Sequence, residues 1–83
     1  MEYTARTPKQ LAQVLRAQRA SKRLTQKMAG AGVGLLPKTI SAMESTPERS
    51  SVESLFKFLS ALDLELVLRP KSSRSQKSPA TEW

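Results

Sequence analysis

The fold is decided by residues 25–44, which read TQKMAGAGVGLLPKTISAME. Thr25 is a candidate N-cap for a short helix that ends near Gly32, since a hydroxyl there accepts a hydrogen bond from the first helical turn. Gly34 can adopt the positive φ that a tight turn requires. Pro37 suits the start of a second helix, because the N–H it lacks would have no partner in the first turn. The segment therefore predicts two short helices joined by a glycine-containing turn.

The second of these helices is expected to end between Met43 and Ser45. Ile40 and Met43 are spaced to face the core, which leaves Lys38 and Ser41 on the outside. Two helices in this arrangement, with short polar groups exposed on the second, are typical of a helix-turn-helix. In that motif the second helix enters the major groove of DNA.

Helices are also predicted on both sides of this segment. Thr7-Pro8 begins the first helix, which should end near residues 21–22. Ser50-x-x-Glu53 matches a capping box, and a helix is expected over residues 51–61. Its apolar stripe is the strongest in the chain and is expected to form core; the stripe consists of Val52, Leu55, Phe56, Leu59 and Leu62.

The period of the apolar pattern changes in residues 62–69, LDLELVLR, where leucines alternate with other residues. This pattern predicts a strand, and a lone strand in a helical chain needs a partner, which a second copy can supply across a two-fold axis. The alternative is that the preceding helix continues into an amphipathic tail. The residues expected at the dimer interface are Leu64, Leu66, Val67 and Leu68.

The predicted fold is mainly α: a helix-turn-helix domain of four to five helices, with one C-terminal β-strand that pairs across a homodimer. Residues 1–69 form this DNA-binding and dimerisation domain. Residues 70–83 are polar and basic, and we expect a disordered tail that ends in Trp83. Trp83 is either simply solvated or a docking element, since tryptophan is enriched at binding hot spots.

Composition excludes several classes of protein. The 83 residues allow one small domain, and so short a chain buries only about 60% of its surface, which favours oligomerisation. Cysteine and histidine are absent, so thiolates, imidazole bases and the commonest zinc ligands are missing. Glu44 and Glu48 are interpreted as ordinary helix-end charges. We expect no enzyme, no cofactor, no metal and no small-molecule substrate.

Neither a signal peptide nor a membrane span is evident in the sequence, because the longest uncharged run, Met28 to Pro37, is short and contains glycines. A soluble intracellular protein is expected.

Charge is distributed unevenly along the chain. Residues 1–43 carry eight basic residues and one acidic residue, whereas residues 44–69 carry three basic and five acidic residues. This asymmetry indicates that the first half faces a polyanion, with nucleic acid the leading candidate. The alternative is a basic surface that is only solvated.

Four short stretches of the helix-turn-helix segment, namely Thr25-Gln26, Val33-Gly34-Leu35, Thr39-Ile40-Ser41 and Glu44, resemble the signature of the λ-repressor/Cro-like (Xre) family. Four further stretches are similar to the HipB-type antitoxins of that family: Thr7-Pro8-Lys9-Gln10-Leu11-Ala12, Leu55-Phe56-Lys57-Phe58-Leu59, Leu62-Asp63-Leu64-Glu65-Leu66 and the terminal Glu82-Trp83. The resemblance covers most of the chain.

This resemblance implies a homodimer that binds palindromic operators of double-stranded DNA, represses its own operon and neutralises a HipA-like serine/threonine kinase toxin. By position in the motif, the residues that face base edges are Leu36, Pro37, Lys38 and Ser41. Lys38 is the strongest candidate, because lysine can donate to guanine O6 and N7. The expected phosphate contacts are Gln26, Thr25, Lys27, Arg19, Lys22 and Arg23, with Arg16 in the same basic group.

The chain departs from the family in its second helix, where Ala29-Gly30 replaces a common Leu-Ala pair. Met28 is expected to fill the resulting gap. Gly30 permits either the close approach of another helix or only local weakness. Two other functions stay open: an Xre repressor without a toxin partner, and a small basic adaptor that binds RNA or protein.

Overall fold

The computed structural model describes residues 2–71. Its four α-helices are Pro8–Ser21 (α1), Gln26–Ala31 (α2), Pro37–Ser45 (α3) and Val52–Ala61 (α4), and a 3-10 turn spans Pro47–Arg49. The mainly helical architecture is confirmed, and each helix lies where the sequence predicts it. The tail was predicted over residues 70–83. Its residues 72–83, which include Trp83, lie outside the described residues.

Side-chain caps fix the start of the first two helices. The Thr7 hydroxyl accepts a hydrogen bond from the Gln10 N–H at 3.1 Å, and the Thr25 hydroxyl accepts one from the Met28 N–H at 3.0 Å. Each cap satisfies a backbone donor that has no partner inside the helix. Both predicted N-caps are therefore confirmed.

The predicted capping box of α4 is wrong by one residue. Ser51, not Ser50, is the N-cap, and its hydroxyl accepts from the Ser54 N–H at 3.0 Å. The N–H of Ser50 instead donates to the Pro47 carbonyl at 3.0 Å and closes the 3-10 turn. That turn, which the sequence pattern did not predict, moves the helix start forward.

The core lies between α1, α3 and α4. Its fully buried large side chains are Leu15, Ile40, Met43, Phe58 and Leu62. Ile40 and Met43 are the two α3 residues predicted to face inward, and this prediction is confirmed. Burial of such side chains stabilises the fold by about 1.5–3 kcal/mol each.

The predicted core stripe of α4 is wrong in part. Leu59 and Leu62 are buried and Leu55 is half-buried, but Val52 and Phe56 are 67% and 50% exposed. Phe58, outside the predicted stripe, is fully buried instead. Leu55, Phe58, Leu59 and Leu62 also follow helical spacing, so α4 is apolar around more than one face.

The chain forms no strand within residues 2–71. α4 ends at Ala61, and Asp63 has a φ of 59°, so the alternative of a continued helix is wrong. Leu64 packs on the core, while Leu66, Val67 and Leu68 are exposed. A strand needs hydrogen-bonding partners that one chain does not supply here, so the C-terminal strand and its pairing stay predictions.

Gly30 and Gly34 shape the turn between α2 and α3. Gly34 has a φ of +75°, as expected for a residue that reverses the chain. At Gly30 a Cβ atom would overlap the Leu35 carbonyl oxygen, so the close approach involves turn backbone rather than another helix. The Leu35 N–H in turn donates to the Gly30 carbonyl at 3.0 Å. Gly30 therefore permits the tight turn.

Met28 does not fill the gap predicted beside Ala29-Gly30. Its side chain is 54% exposed, whereas Ala29 is 3% exposed. The turn backbone approaches Gly30 so closely that no gap has to be filled.

No helix among residues 2–71 has the length and apolar character needed to cross a membrane.

Candidate nucleic-acid interface

α3 has one buried side and one exposed side. Ile40 and Met43 hold the helix on the core. The four residues predicted to face base edges are all exposed: Leu36, Pro37, Lys38 and Ser41. Lys38 and Ser41 lie on the side opposite Ile40 and Met43, whereas Leu36 lies at the N-terminal end of the helix as its N-cap. Lys38 and Ser41 are three residues apart and so lie next to each other on the helix surface.

A partly buried ion pair fixes α3 against α1. The Arg19 Nε donates to Glu44 Oε2 at 2.5 Å, and Arg19 Nη2 donates to Glu44 Oε1 at 2.9 Å. The side chains are 17% and 5% exposed, respectively. Such two-pronged pairing is the strongest geometry available to an arginine and a carboxylate. The hydrogen bond to Glu44 raises the pKa of Arg19 above its ordinary value, against the opposing effect of burial.

Two further contacts extend this pair into a network. Arg19 Nη1 donates to the Leu24 carbonyl at 2.8 Å, which ties the loop between α1 and α2. The Gln26 side-chain amide donates to Glu44 Oε1 at 3.3 Å, which ties the start of α2. One carboxylate thus orients α1, α2 and α3 relative to one another.

This network changes the interpretation of two residues. Glu44 is not an ordinary helix-end charge, because it is nearly buried and accepts hydrogen bonds from two other elements. Arg19, which was predicted to contact phosphate, directs its guanidinium to Glu44 and Leu24 inside the chain. Its geometry is that of a positioning residue. One signal was available in the sequence: Glu44 is four residues from Ile40, on the core side of a basic segment.

An open cleft borders this network between the three helices. It is lined by Arg16, Arg19, Gln26, Ser41, Glu44 and Ser45. Four residues predicted to contact DNA are brought together here: Arg16, Arg19, Gln26 and Ser41. Ser45 also lines the cleft, one turn beyond Ser41 on α3, and the sequence interpretation missed it.

The other predicted phosphate contacts differ in their surroundings. Lys22 pairs with Asp63 at 2.8 Å, beyond the end of α4, rather than with the cleft. Arg23 and Lys27 are exposed. Thr25 is exposed, and its hydroxyl oxygen caps α2 while the hydroxyl proton stays available to an acceptor.

Residues 2–45 carry exposed positive charge on several basic side chains. Among residues 2–71, the ion pairs involve Arg19, Lys22, Lys57 and Arg69. Among residues 2–45, the exposed basic residues that make no ion pair within residues 2–71 are Arg6, Lys9, Arg16, Arg23, Lys27 and Lys38. Unpaired basic side chains around an exposed helix are the usual electrostatic surface for nucleic acid.

The two helices, the glycine turn and the exposed face of α3 define a helix-turn-helix protein. No family model and no curated protein sequence matches the chain. Solved structures do match it, at 26–28% sequence identity and full coverage of the matched chains.

One match is a HipB variant in complex with an O2 20mer, with a TM-score of 0.82 over 87% of this chain. A second is the HipA-HipB-O2-O3 complex, with a TM-score of 0.81 over 86% of this chain. A third, with the same score and coverage, is HipB in complex with an O4 20mer. The resemblance to HipB-type helix-turn-helix antitoxins is thereby confirmed.

Proposed function

We propose that this chain is a sequence-specific DNA-binding repressor and the antitoxin of a HipA-like serine/threonine kinase toxin. It acts as a dimer on palindromic operators and represses its own operon. The observation that carries the proposal is the exposed face of α3, which is held by the Arg19–Glu44 pair and surrounded by unpaired basic residues. Binding, rather than catalysis, performs both roles.

Base recognition is assigned to the exposed face of α3. Lys38 donates to guanine O6 and N7, which face the major groove. Ser41 donates to a base or a phosphate from the next turn of the helix. Both side chains are exposed, and no ion pair within residues 2–71 competes for Lys38.

Phosphate contacts are assigned to groups on both sides of the cleft. Arg16 on α1 supplies charge and the Gln26 amide on α2 supplies a hydrogen bond from the lining of the cleft. The exposed Thr25 and Lys27, the neighbours of Gln26 in sequence, add a hydroxyl and a second charge. Arg23 and Lys22 extend the basic surface, although Lys22 must share its charge with Asp63. Since each neutralised phosphate releases counterion, log K is expected to fall by about 0.9 per contact with log salt.

Dimerisation is assigned to the C-terminal segment. Leu66, Val67 and Leu68 are 49%, 65% and 87% exposed in the single chain, and Leu64 anchors the segment on the core. Pairing of this segment with its copy would cover these apolar side chains and supply the hydrogen bonds that a strand needs. Two copies related by a two-fold axis then match the two half-sites of a palindrome.

The toxin-binding role rests on the similarity to HipB, which has been solved in complex with HipA. The antitoxin would neutralise the kinase by forming a complex. Trp83 is the candidate docking residue because tryptophan is enriched at hot spots. Both roles place the protein in the bacterial cytoplasm, at the nucleoid.

The test is binding of the purified protein to its own upstream DNA and to a random duplex of equal length, at two salt concentrations. Tight, selective binding that weakens with salt supports the repressor. Equal, weak binding to both duplexes contradicts it and favours a basic adaptor for RNA or protein. A reading frame for a kinase-like protein next to this gene would separate the antitoxin from a repressor without a toxin.

A further inference from the structure

Leu36 occupies a position for which leucine is a poor choice. It is the N-cap of α3, with φ −80° and ψ 153°, and its side chain makes no capping hydrogen bond. Serine, threonine, aspartate and asparagine are preferred at N-caps, and leucine is among the weakest residues there. The chain uses such polar caps at the other three α-helices, namely Thr7, Thr25 and Ser51.

Core packing does not explain this leucine either. Its side chain is 60% exposed, whereas the neighbouring Leu35 packs against the core cluster. Leu36 therefore stabilises neither the helix end nor the interior. A residue that departs from the local sequence preference, and adds no stability in return, is typical of a functional site.

The surroundings of Leu36 define what it can contact. Pro37 follows it and has no N–H to offer, so this end of α3 presents two apolar side chains. Lys38, two residues further on, is also exposed, and its charge is unpaired within residues 2–71. The surface thus combines an apolar contact with a neighbouring cationic donor, a combination suited to the floor of the major groove.

We propose that Leu36 is a specificity-determining residue that contacts the 5-methyl group of a thymine, adjacent to the base pair read by Lys38. The thymine methyl is the apolar group that base pairs present in the major groove, and apolar side chains recognise it there. The inference rests on the proposed function, because it assumes that α3 enters the major groove of an operator. It adds the chemical identity of one base in each half-site.

The experiment uses the full chain and its operator, located by footprinting on the upstream DNA. Each thymine in the footprint is replaced in turn by deoxyuridine, which removes only the methyl group. For the wild-type protein we expect one position per half-site to weaken binding by about 4-fold, the value of one buried carbon at about 0.8 kcal/mol. The same replacements are then measured with Leu36→Ser, for which no position should respond.

Two controls separate this role from a structural one. Leu36→Ser supplies a better N-cap, so its Tm should rise by a few degrees while discrimination at that base falls. Met28→Ser removes an equally exposed apolar side chain from α2 and should leave the thymine response unchanged. A lower Tm for Leu36→Ser would overturn the inference, because Leu36 would then be structural.

Failure of the inference differs from failure of the proposed function. If the wild-type protein does not distinguish its upstream DNA from random duplex, the repressor proposal fails and the inference fails with it. If selective binding is present but no thymine methyl matters, or if the response persists in Leu36→Ser, the inference alone is wrong.

Discussion

The two halves of the molecule use their apolar and charged side chains differently. In residues 8–45, the apolar residues of α1 and α3 meet inside the chain, and the one acidic side chain, Glu44, is paired with Arg19. In residues 52–71, five large apolar side chains stay exposed: Val52, Phe56, Leu66, Val67 and Leu68. In residues 8–45 two such side chains, Met28 and Leu36, are exposed, so more apolar surface is left uncovered in the second half.

The difference shows that an apolar stripe predicts which side chains will be buried. It does not predict whether they are buried inside the chain or against another protein. On α4, Phe58 is covered by the chain itself, whereas Phe56 is not. Exposed apolar residues concentrated in one region are typical of a surface that contacts another protein. The charge pattern differs in the same way: the basic first half carries the proposed DNA surface, whereas residues 52–71 carry three basic and three acidic residues.

The largest expected effect comes from the two phenylalanines of α4. Phe58→Ala should destabilise the chain by about 3–5 kcal/mol, because Phe58 is fully buried and its removal leaves a cavity. Phe56→Ala should cost less than about 1 kcal/mol at concentrations where the protein is monomeric. Urea unfolding checks both, and similar losses for the two variants would contradict the division of α4 into a core face and a free face.

The next effect concerns the buried charge of the first half. Glu44→Ala should cost about 3 kcal/mol, because it leaves Arg19 partly buried without its partner. The matched control is Glu53→Ala, since Glu53 pairs with Lys57 at 3.5 Å on the exposed surface of α4 and should contribute about 0.3–0.5 kcal/mol. Thermal unfolding of both variants tests the contrast. An equal loss of stability in the two variants would contradict the role of Glu44 in orienting α1, α2 and α3.

The pH dependence of this pair follows from the raised pKa of Arg19. A cation whose pKa is higher in the folded state contributes stability below its ordinary pKa and loses it only as pH rises through the raised value. That window lies far above the neutral pH range. From about pH 6 to about pH 9, titration of Arg19 should therefore not alter the difference between wild type and Glu44→Ala.

A smaller effect is expected at the turn between α2 and α3. Gly30→Ala should cost about 1–3 kcal/mol, because the new Cβ forces the Leu35 backbone to move. Gly32→Ala is the matched control: Gly32 has a φ of −78° and open space around it, so alanine should be neutral or stabilise by up to about 1 kcal/mol. If the two substitutions gave the same Tm, the close approach at Gly30 would be of no consequence.

Substitutions in the C-terminal segment should have the smallest effect on the stability of the single chain. Their effect on dimerisation should be large. Leu66→Arg should halve the mass measured by light scattering, because it places a charge on the apolar side of the paired strands. Glu65→Arg changes the opposite face and should leave the mass unchanged. A dimer that survives Leu66→Arg would show that the free surface of the second half serves another contact.

Local features of the sequence were sufficient to predict the helices. The caps at Thr7 and Thr25, the prolines at positions 8 and 37 and the spacing of Ile40 and Met43 act over one or two turns. The features that the sequence did not predict depend on distant residues. Glu44 meets Arg19 across 25 residues, and the choice between Phe56 and Phe58 depends on how α4 packs.

The candidate site was predictable to a similar extent. The exposure of Lys38 and Ser41 followed from the buried spacing of α3, because the side of a packed helix opposite the core faces solvent. The exposure of Leu36 did not follow from that spacing, since Leu36 stands four residues before the buried Ile40. The surroundings of the basic residues did not follow, since Arg19 and Lys22 contact partners that are remote in sequence.

Base recognition by α3 is tested most directly with the double variant Lys38→Ala, Ser41→Ala. The measured quantity is the ratio of its affinity for operator DNA to its affinity for a random duplex. Both side chains are exposed, so the variant should fold as the wild type does. If α3 reads bases, the ratio should fall by about 10-fold or more while binding to random duplex stays nearly constant. If affinity instead falls equally for operator and random DNA, these residues only contribute charge, and the assignment of base recognition to α3 is wrong.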